Sequence, residues 1–413
     1  MTAFAAICLA LILAKWIAQL ALEGMNQRHV QAHAKHIPGA LRDVMSPENY
    51  AKSVDYTLAK ARFEKIELTW QTLILTLALF TGVLPWFYAK FPAHSLWAGA
   101  GFIFATGILL SLPELPLEWH EQFHLEERFG FNTTTPALWW MDRLKGMVLS
   151  LVIGLPLLTL ILKLVDWMGA WWWFWAWLCV TVFQLVMMVL APILIMPLFN
   201  KFTPLPEGPL RERLLALGQR AGFSAKDIQV MDGSKRSRHS NAFFTGFGSF
   251  RKIVIFDTLA QQLENAELEA VLAHEIGHYK KRHIPKMLAA SMAATLLGFY
   301  AISVLARQAW FYHDFGFAPG SIVPAFLLFG LLAGTVTFWL SPLTHSFSRR
   351  YEYEADAYAA ALIKATQPLV GALRKLNEKN LSNLTPHPIY SGFYYSHPTL
   401  LEREAALAEQ KIA

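Results

Sequence analysis

The apolar residues of this 413-residue chain fall into long runs instead of being spaced one helical turn apart. About 20 mostly apolar residues span a bilayer as a helix. Seven runs qualify: 3–22, 68–89, 96–113, 146–165, 171–199, 288–306 and 321–343. The third is short and ends at Leu112-Pro113. The fifth opens with Trp171-Trp172-Trp173, fitting an interfacial belt, and its Pro192 and Pro197 predict a kink or break. The first run does not read as a cleaved signal: no basic segment precedes it, Lys15 interrupts it, and no small-x-small site follows.

Two polar regions remain. Between 200 and 287 the pattern predicts a helix at 209–221 and a strand at 228–231. An extended run at 242–247, a turn at Gly248-Ser249 and a return strand at 252–256 follow. A helix then starts at Asn265 as N-cap, with Glu267 and Glu269 in its first turn. Beyond 344, helices are expected at 346–365 and 367–379, then a Pro-rich segment and a helix from Thr399. There is no internal repeat. The fold class is an α-helical multi-pass membrane protein with seven transmembrane helices and a mostly helical domain containing a small β-sheet. Residues 1–199 form a membrane region with five spans; 200–413 form a second domain, interrupted by spans at 288–306 and 321–343.

Composition agrees. Apolar residues make up 54% and charged residues only 16%, against about 25% charged in soluble proteins. The net charge of +6 does not indicate a nucleic-acid partner, because the basic residues flank the apolar runs. They set orientation instead. The 23–67 loop holds seven, the 200–287 segment fourteen and the tail after the seventh span eight; the loops after spans two, four and six hold at most one each, Lys90 and Arg307 among them. The amino terminus is therefore expected outside, and the carboxy terminus and both polar regions in the cytoplasm. The two cysteines, Cys8 and Cys179, lie in apolar runs and form neither a disulfide framework nor a metal site.

The helix from Asn265 carries His274-Glu275-Ile276-Gly277-His278. Residues four apart lie about 40° apart around a helix axis, one turn along. Two such imidazoles can share one zinc ion, and a carboxylate beside them can take a proton from water acidified by the metal. Scarce histidine makes a chance match improbable, and Ala270 to Ala273 make the preceding turn apolar, as for a helix packed beneath a site. Gly277 costs about 1 kcal/mol in a helix interior, which implies close approach of another segment. A catalytic zinc wants a third protein ligand. Glu352 and Asp356, four apart, are the leading candidates, one to bind the metal and the other to orient an imidazole; Glu354 points elsewhere. His283 and His345 are weaker competitors, since His283 follows the motif helix too closely to fold back without a break.

Taken together, the His274–His278 motif, the Glu352 and Asp356 pair and the seven spans resemble the CAAX-type prenyl protease family of membrane zinc metallopeptidases. Asn241-Ala242-Phe243-Phe244-Thr245-Gly246 is similar to that family's edge strand. Lys252 to Leu259 resembles the strand leading to its motif helix, and His387-Pro388, Ser396-His397-Pro398 and Leu401-Glu402-Arg403 resemble its tail. The resemblance implies one zinc ion held by His274, His278 and Glu352, with Glu275 as general base and Asp356 supporting a ligand. It implies that Asn241 and Ala242 begin an edge strand that pairs with substrate backbone. His397 would stabilise the oxyanion and Arg403 hold that region. It also implies a membrane-enclosed chamber, with which Lys15 is compatible. The resemblance implies a peptide or protein substrate, either prenylated at a carboxy-terminal CAAX sequence or a related membrane-associated peptide. No dilysine-type signal occupies Gln410 to Ala413, which favours a bacterial inner membrane over an endoplasmic reticulum.

Two rivals remain at this stage. A membrane quality-control protease of the HtpX type has fewer spans. A transporter or channel with structural zinc predicts a fourth protein ligand closing the metal site.

Overall fold

The computed structural model describes residues 2–35, 37–42, 44–92, 95–223, 227–245 and 252–410. Helix α1 covers Ala3–His33, where the Thr2 hydroxyl accepts from the Ala5 amide. Helix α2, Pro47–Phe80, starts behind Ser46, with proline in the first turn, where its missing N–H is no loss. Three long helices follow: α3 over Leu96–Phe129, α4 over Pro136–Trp167 and α5 over Gly169–Phe199. Later come α8, His283–Leu305, and α9, Ile322–Ile363.

Six of these helices, all but α2, are long and apolar enough to cross a membrane. The second expected span is built from the apolar end of α2 and the short helix Val83–Tyr88, separated at Gly82 with φ of +78°. That left-handed residue breaks what the hydropathy pattern joins. Pro192 acts as expected: α5 widens into a π-helical turn over Ala191–Ile195. Pro113 does not end α3, because it sits in the first turn of a 3₁₀ segment that leads on to Phe129. Outward faces carry exposed Ile17, Val152, Trp171, Leu297 and Val336, as helices against hydrocarbon do.

The remaining elements are β1 (Phe202–Pro204), α6 (Pro209–Arg220), β2 (Asp227–Met231), β3 (Ala242–Thr245), β4 (Lys252–Phe256) and α7 (Asn265–Lys280). After α9 come α10 (Gln367–Lys379), α11 (Pro388–Tyr394) and α12 (Leu400–Ala408). The strands form one sheet in the order β1-β2-β4-β3. β2 and β4 are parallel; β1 and β3 lie antiparallel at the two edges, Phe243 opposite Val254. Strands β2 to β4 occupy the expected runs, while three-residue β1, ending in proline, is too short to show a period. The expected turn at Gly248-Ser249 lies outside the described residues.

One core joins the sheet to the helices behind it. Ile253 and Ile255 of β4 pack with Leu268, Leu272 and Ile276 of α7, Ala359 and Ala360 of α9, and Leu369 and Ala372 of α10. The motif helix is therefore clamped between the sheet and the carboxy-terminal end of α9. A second cluster, including Ile12, Leu79, Phe102, Leu162 and Leu328, ties the membrane helices together.

Candidate metal centre

α7 begins one residue earlier than the capping pattern suggested. Glu264 is the N-cap, and it and Glu267 form a reciprocal capping box, leaving Asn265 as the first helical residue. Glu267 also receives Lys375 of α10 at 2.8 Å, anchoring the start of the helix. Two turns on, His274 and His278 lie on one face with their Nε2 atoms 3.1 Å apart. The face is pressed against α9: a Cβ on Gly277 would lie 2.9 Å from the Ala355 Cα and 3.0 Å from its carbonyl oxygen. Only glycine allows this approach, which brings Glu352 over the two imidazoles.

Glu352 Oε1 is 3.2 Å from His278 Nε2, and Oε2 is 3.4 Å from His274 Nε2. Among the described residues, His274, His278 and Glu352 form the group able to hold a metal, their donor atoms all within 4.8 Å of one another. Glu352 is 4% exposed, and its Oε2 makes no hydrogen bond. That oxygen lies 3.4 Å from His274 Nε2 and 3.8 Å from the Arg403 guanidinium without a hydrogen bond, and a buried carboxylate so placed is costly unless a cation sits close to it.

Asp356 lies one turn beyond Glu352. Its Oδ1 is 2.7 Å from His274 Nδ1, so the imidazole donates there and its Nε2 lone pair turns toward the site. Arg403 of α12 donates to both Asp356 oxygens, at 2.6 and 2.8 Å. Burial would lower the His274 pKa, but the neighbouring Asp356 and Glu352 carboxylates win and push it up to about 9. The pocket thus favours positive charge at this point, which a bound cation supplies as well as a proton does. Two imidazoles and one carboxylate fit a metal ion and leave room for a reacting group, with no fourth donor in the cluster among the described residues.

Glu275 follows His274 on the helix. Burial raises its carboxyl pKa, against the opposing pull of His274 and His278. Beside it lies a small cleft lined by Ala242, Phe243, Val271 and Leu272, which brings β3 alongside the base. Asn241 precedes β3, and its Oδ1 accepts from the Ala242 amide at 2.8 Å. Gly246, the last residue of that motif, is outside the described residues. His397 reaches the site from the tail, its Nε2 3.5 Å from Glu352 Oε1 and its Nδ1 2.9 Å from the Ser396 hydroxyl. Burial lowers the His397 pKa, outweighing the attraction of Glu352.

All nine candidate residues therefore converge on one region. Of the weaker competitors, His345 is engaged elsewhere, 2.6 Å from the Phe393 carbonyl. His283 does fold back: Arg282, with φ of +56°, supplies the break between α7 and α8, and His283 Nδ1 lies 2.9 Å from His278 Nδ1. Glu354, off the ligand face as expected, receives the other nitrogen of His283 at 3.1 Å.

Comparison with known proteins agrees with this geometry. Residues 26–201 match the family described as CAAX prenyl protease N-terminal, five membrane helices, and residues 204–411 match peptidase family M48. The chain is 38% identical over 427 residues to CAAX prenyl protease 1 of Saccharomyces cerevisiae, covering 95% of this chain and 93% of that protein. It is 31% identical over 435 residues to the Homo sapiens CAAX prenyl protease 1 homolog, covering 94% and 91%. The crystal structure of S. mikatae Ste24p matches with a TM-score of 0.91 at 34% identity, over 98% of this chain and 99% of that one.

Proposed function

The chain belongs to the CAAX prenyl protease family of M48 peptidases, multi-pass membrane metalloproteases, and on that premise we propose that it is a zinc endopeptidase processing prenylated CAAX-type carboxy termini. The carrying observation is the convergence of His274, His278 and Glu352, with Glu275 beside them and an edge strand alongside.

His274, His278 and Glu352 would hold the zinc ion, which would supply Lewis acidity for the scissile carbonyl and for the attacking water. The Glu275 carboxylate takes the water's proton and delivers it to the departing amine. Asp356 fixes the His274 tautomer, and Arg403 fixes Asp356. In the tautomer whose Nδ1 accepts from the Ser396 hydroxyl, the His397 proton is on Nε2, the nitrogen turned toward the site, where it can donate to the developing oxyanion. Asn241 and Ala242 open the edge strand on which substrate backbone is added, a mode that reads little sequence. The two family matches, meeting between 201 and 204, support a division into a membrane region, 1–199, and a peptidase domain, 200–413, crossed by α8 and the first half of α9.

The basic-residue distribution favours an active site and carboxy terminus in the cytoplasm and an amino terminus outside, in a bacterial inner membrane or, in a eukaryote, an endoplasmic reticulum. Mass spectrometry of matched prenylated and unprenylated CAAX peptides, incubated with the detergent-purified protein, tests the substrate. Release of the terminal tripeptide, faster from the prenylated member, is expected. Indifferent cleavage of unrelated peptides would instead support the quality-control role.

A further inference from the structure

Asp356 explains how His274 is held, but its partner His278 has no carboxylate on its own Nδ1. In its place stands His283, the first residue of α8, which the left-handed turn at Arg282 swings back over the motif helix. His283 is 1% exposed. Its ring is stacked on Tyr351, with centroids 4.3 Å apart and planes 15° from parallel.

We propose that His283 and Glu354 are a positioning pair that fixes the ring and tautomer of His278, so that its Nε2 lone pair faces the metal. The inference rests on the zinc reading above. The proton placement follows from the distances. If Nε2 of His278 is a ligand, its proton is on Nδ1, and this N–H donates to His283 Nδ1 at 2.9 Å. His283 then carries its proton on Nε2, which donates to Glu354 Oε2 at 3.1 Å. The other oxygen, Oε1, accepts from Arg350 Nε at 3.1 Å. Every polar ring nitrogen is used once, and only one direction of donation is consistent with a metal-facing lone pair on His278. The two ligand histidines are thus supported by carboxylates from the same helix, Asp356 directly and Glu354 through an intervening imidazole. Buried polar groups with complete partners restrict the ring to one orientation, which preorganises the ligand before the metal arrives.

The test is zinc affinity of the full-length, detergent-purified protein, measured by competition with a chromophoric chelator, alongside thermal unfolding of the metal-free form. His283→Phe keeps a ring against Tyr351 but removes the acceptor; His283→Asn restores an acceptor near the Nδ1 position; Glu354→Gln keeps an acceptor and removes its charge. His283→Phe should weaken zinc binding by about 10- to 100-fold, the usual effect of losing such a partner. His283→Asn should recover most of it, Glu354→Gln should weaken it less, and metal-free melting should stay near the wild type. Wild-type affinity in His283→Phe would overturn the pair and assign His283 to packing. Should His283→Phe not fold, Glu354→Ala decides the matter: weakened zinc binding supports the pair and unchanged binding overturns it. A wild type that binds no zinc would overturn the metal reading itself and the pair with it.

Discussion

At the scale of single residues, the site is a set of charges that need one another. His274 shows this in its proton affinity: burial opposes the charged form, yet Asp356 and Glu352 raise its pKa from 6.5 to about 9. A group whose pKa is higher folded than unfolded adds stability that is complete below the unfolded value and lost as pH rises through the folded one. Metal-free protein should therefore lose thermal stability between about pH 6.5 and 9, while metal-loaded protein, its imidazole neutral already, should not. Melting curves of chelated and zinc-loaded protein across that window check this; a flat chelated curve would refute it. The histidines and Glu275 were legible in the sequence because helix periodicity ties residues four apart to one face. Glu352 and Asp356 were legible by the same rule. His283 is not legible in the same way, because nothing about Arg282 announces a left-handed backbone, a conformation uncommon for any residue but glycine.

At the scale of elements, two packings make the site. Gly277 lets α7 and α9 approach until backbone nearly meets backbone. Gly277→Ala should destabilise the protein by at least ~1 kcal/mol, although alanine is the better helix former; unchanged unfolding would mean the helices are not so close. The glycine was readable as a requirement for close approach, though not the identity of its neighbour. The second packing is the free edge of β3. The Asn241 carbonyl is taken up in the pairing with β4, accepting from the Phe256 amide at 3.0 Å. Alternation along an antiparallel strand then turns the next residue, Ala242, toward the open edge. Proline is tolerated at such a position. Ala242→Pro should thus lower kcat/KM by about 10-fold, the value of one lost hydrogen bond, with little change in melting temperature. Unaltered kcat/KM would contradict strand addition there. The strands were visible from their residue types, but short β1 was not, and Gly82 interrupts a span that hydropathy alone made continuous.

At the scale of the whole molecule, membrane helices, sheet and tail are one device: the spans deliver α7 and α9 to the same side, and the tail returns His397 and Arg403 to them. The basic-residue distribution predicts that this side is cytoplasmic. In a background lacking Cys8 and Cys179, a membrane-impermeant maleimide should label the Glu207→Cys variant only in inside-out vesicles, and the Lys90→Cys variant only in right-side-out ones. Both side chains sit at exposed positions. Reversed labelling would invert the topology. The central claim, metal-dependent peptide hydrolysis with Glu275 as the base, is tested most directly by comparing wild type with Glu275→Gln. Zinc content and cleavage of a prenylated CAAX peptide should be measured on the same preparations. One zinc per chain in both, with cleavage reduced at least ~100-fold in Glu275→Gln, abolished in the wild type by a chelator and restored by zinc, is the predicted result. Undiminished cleavage by a fully loaded Glu275→Gln protein would contradict the mechanism.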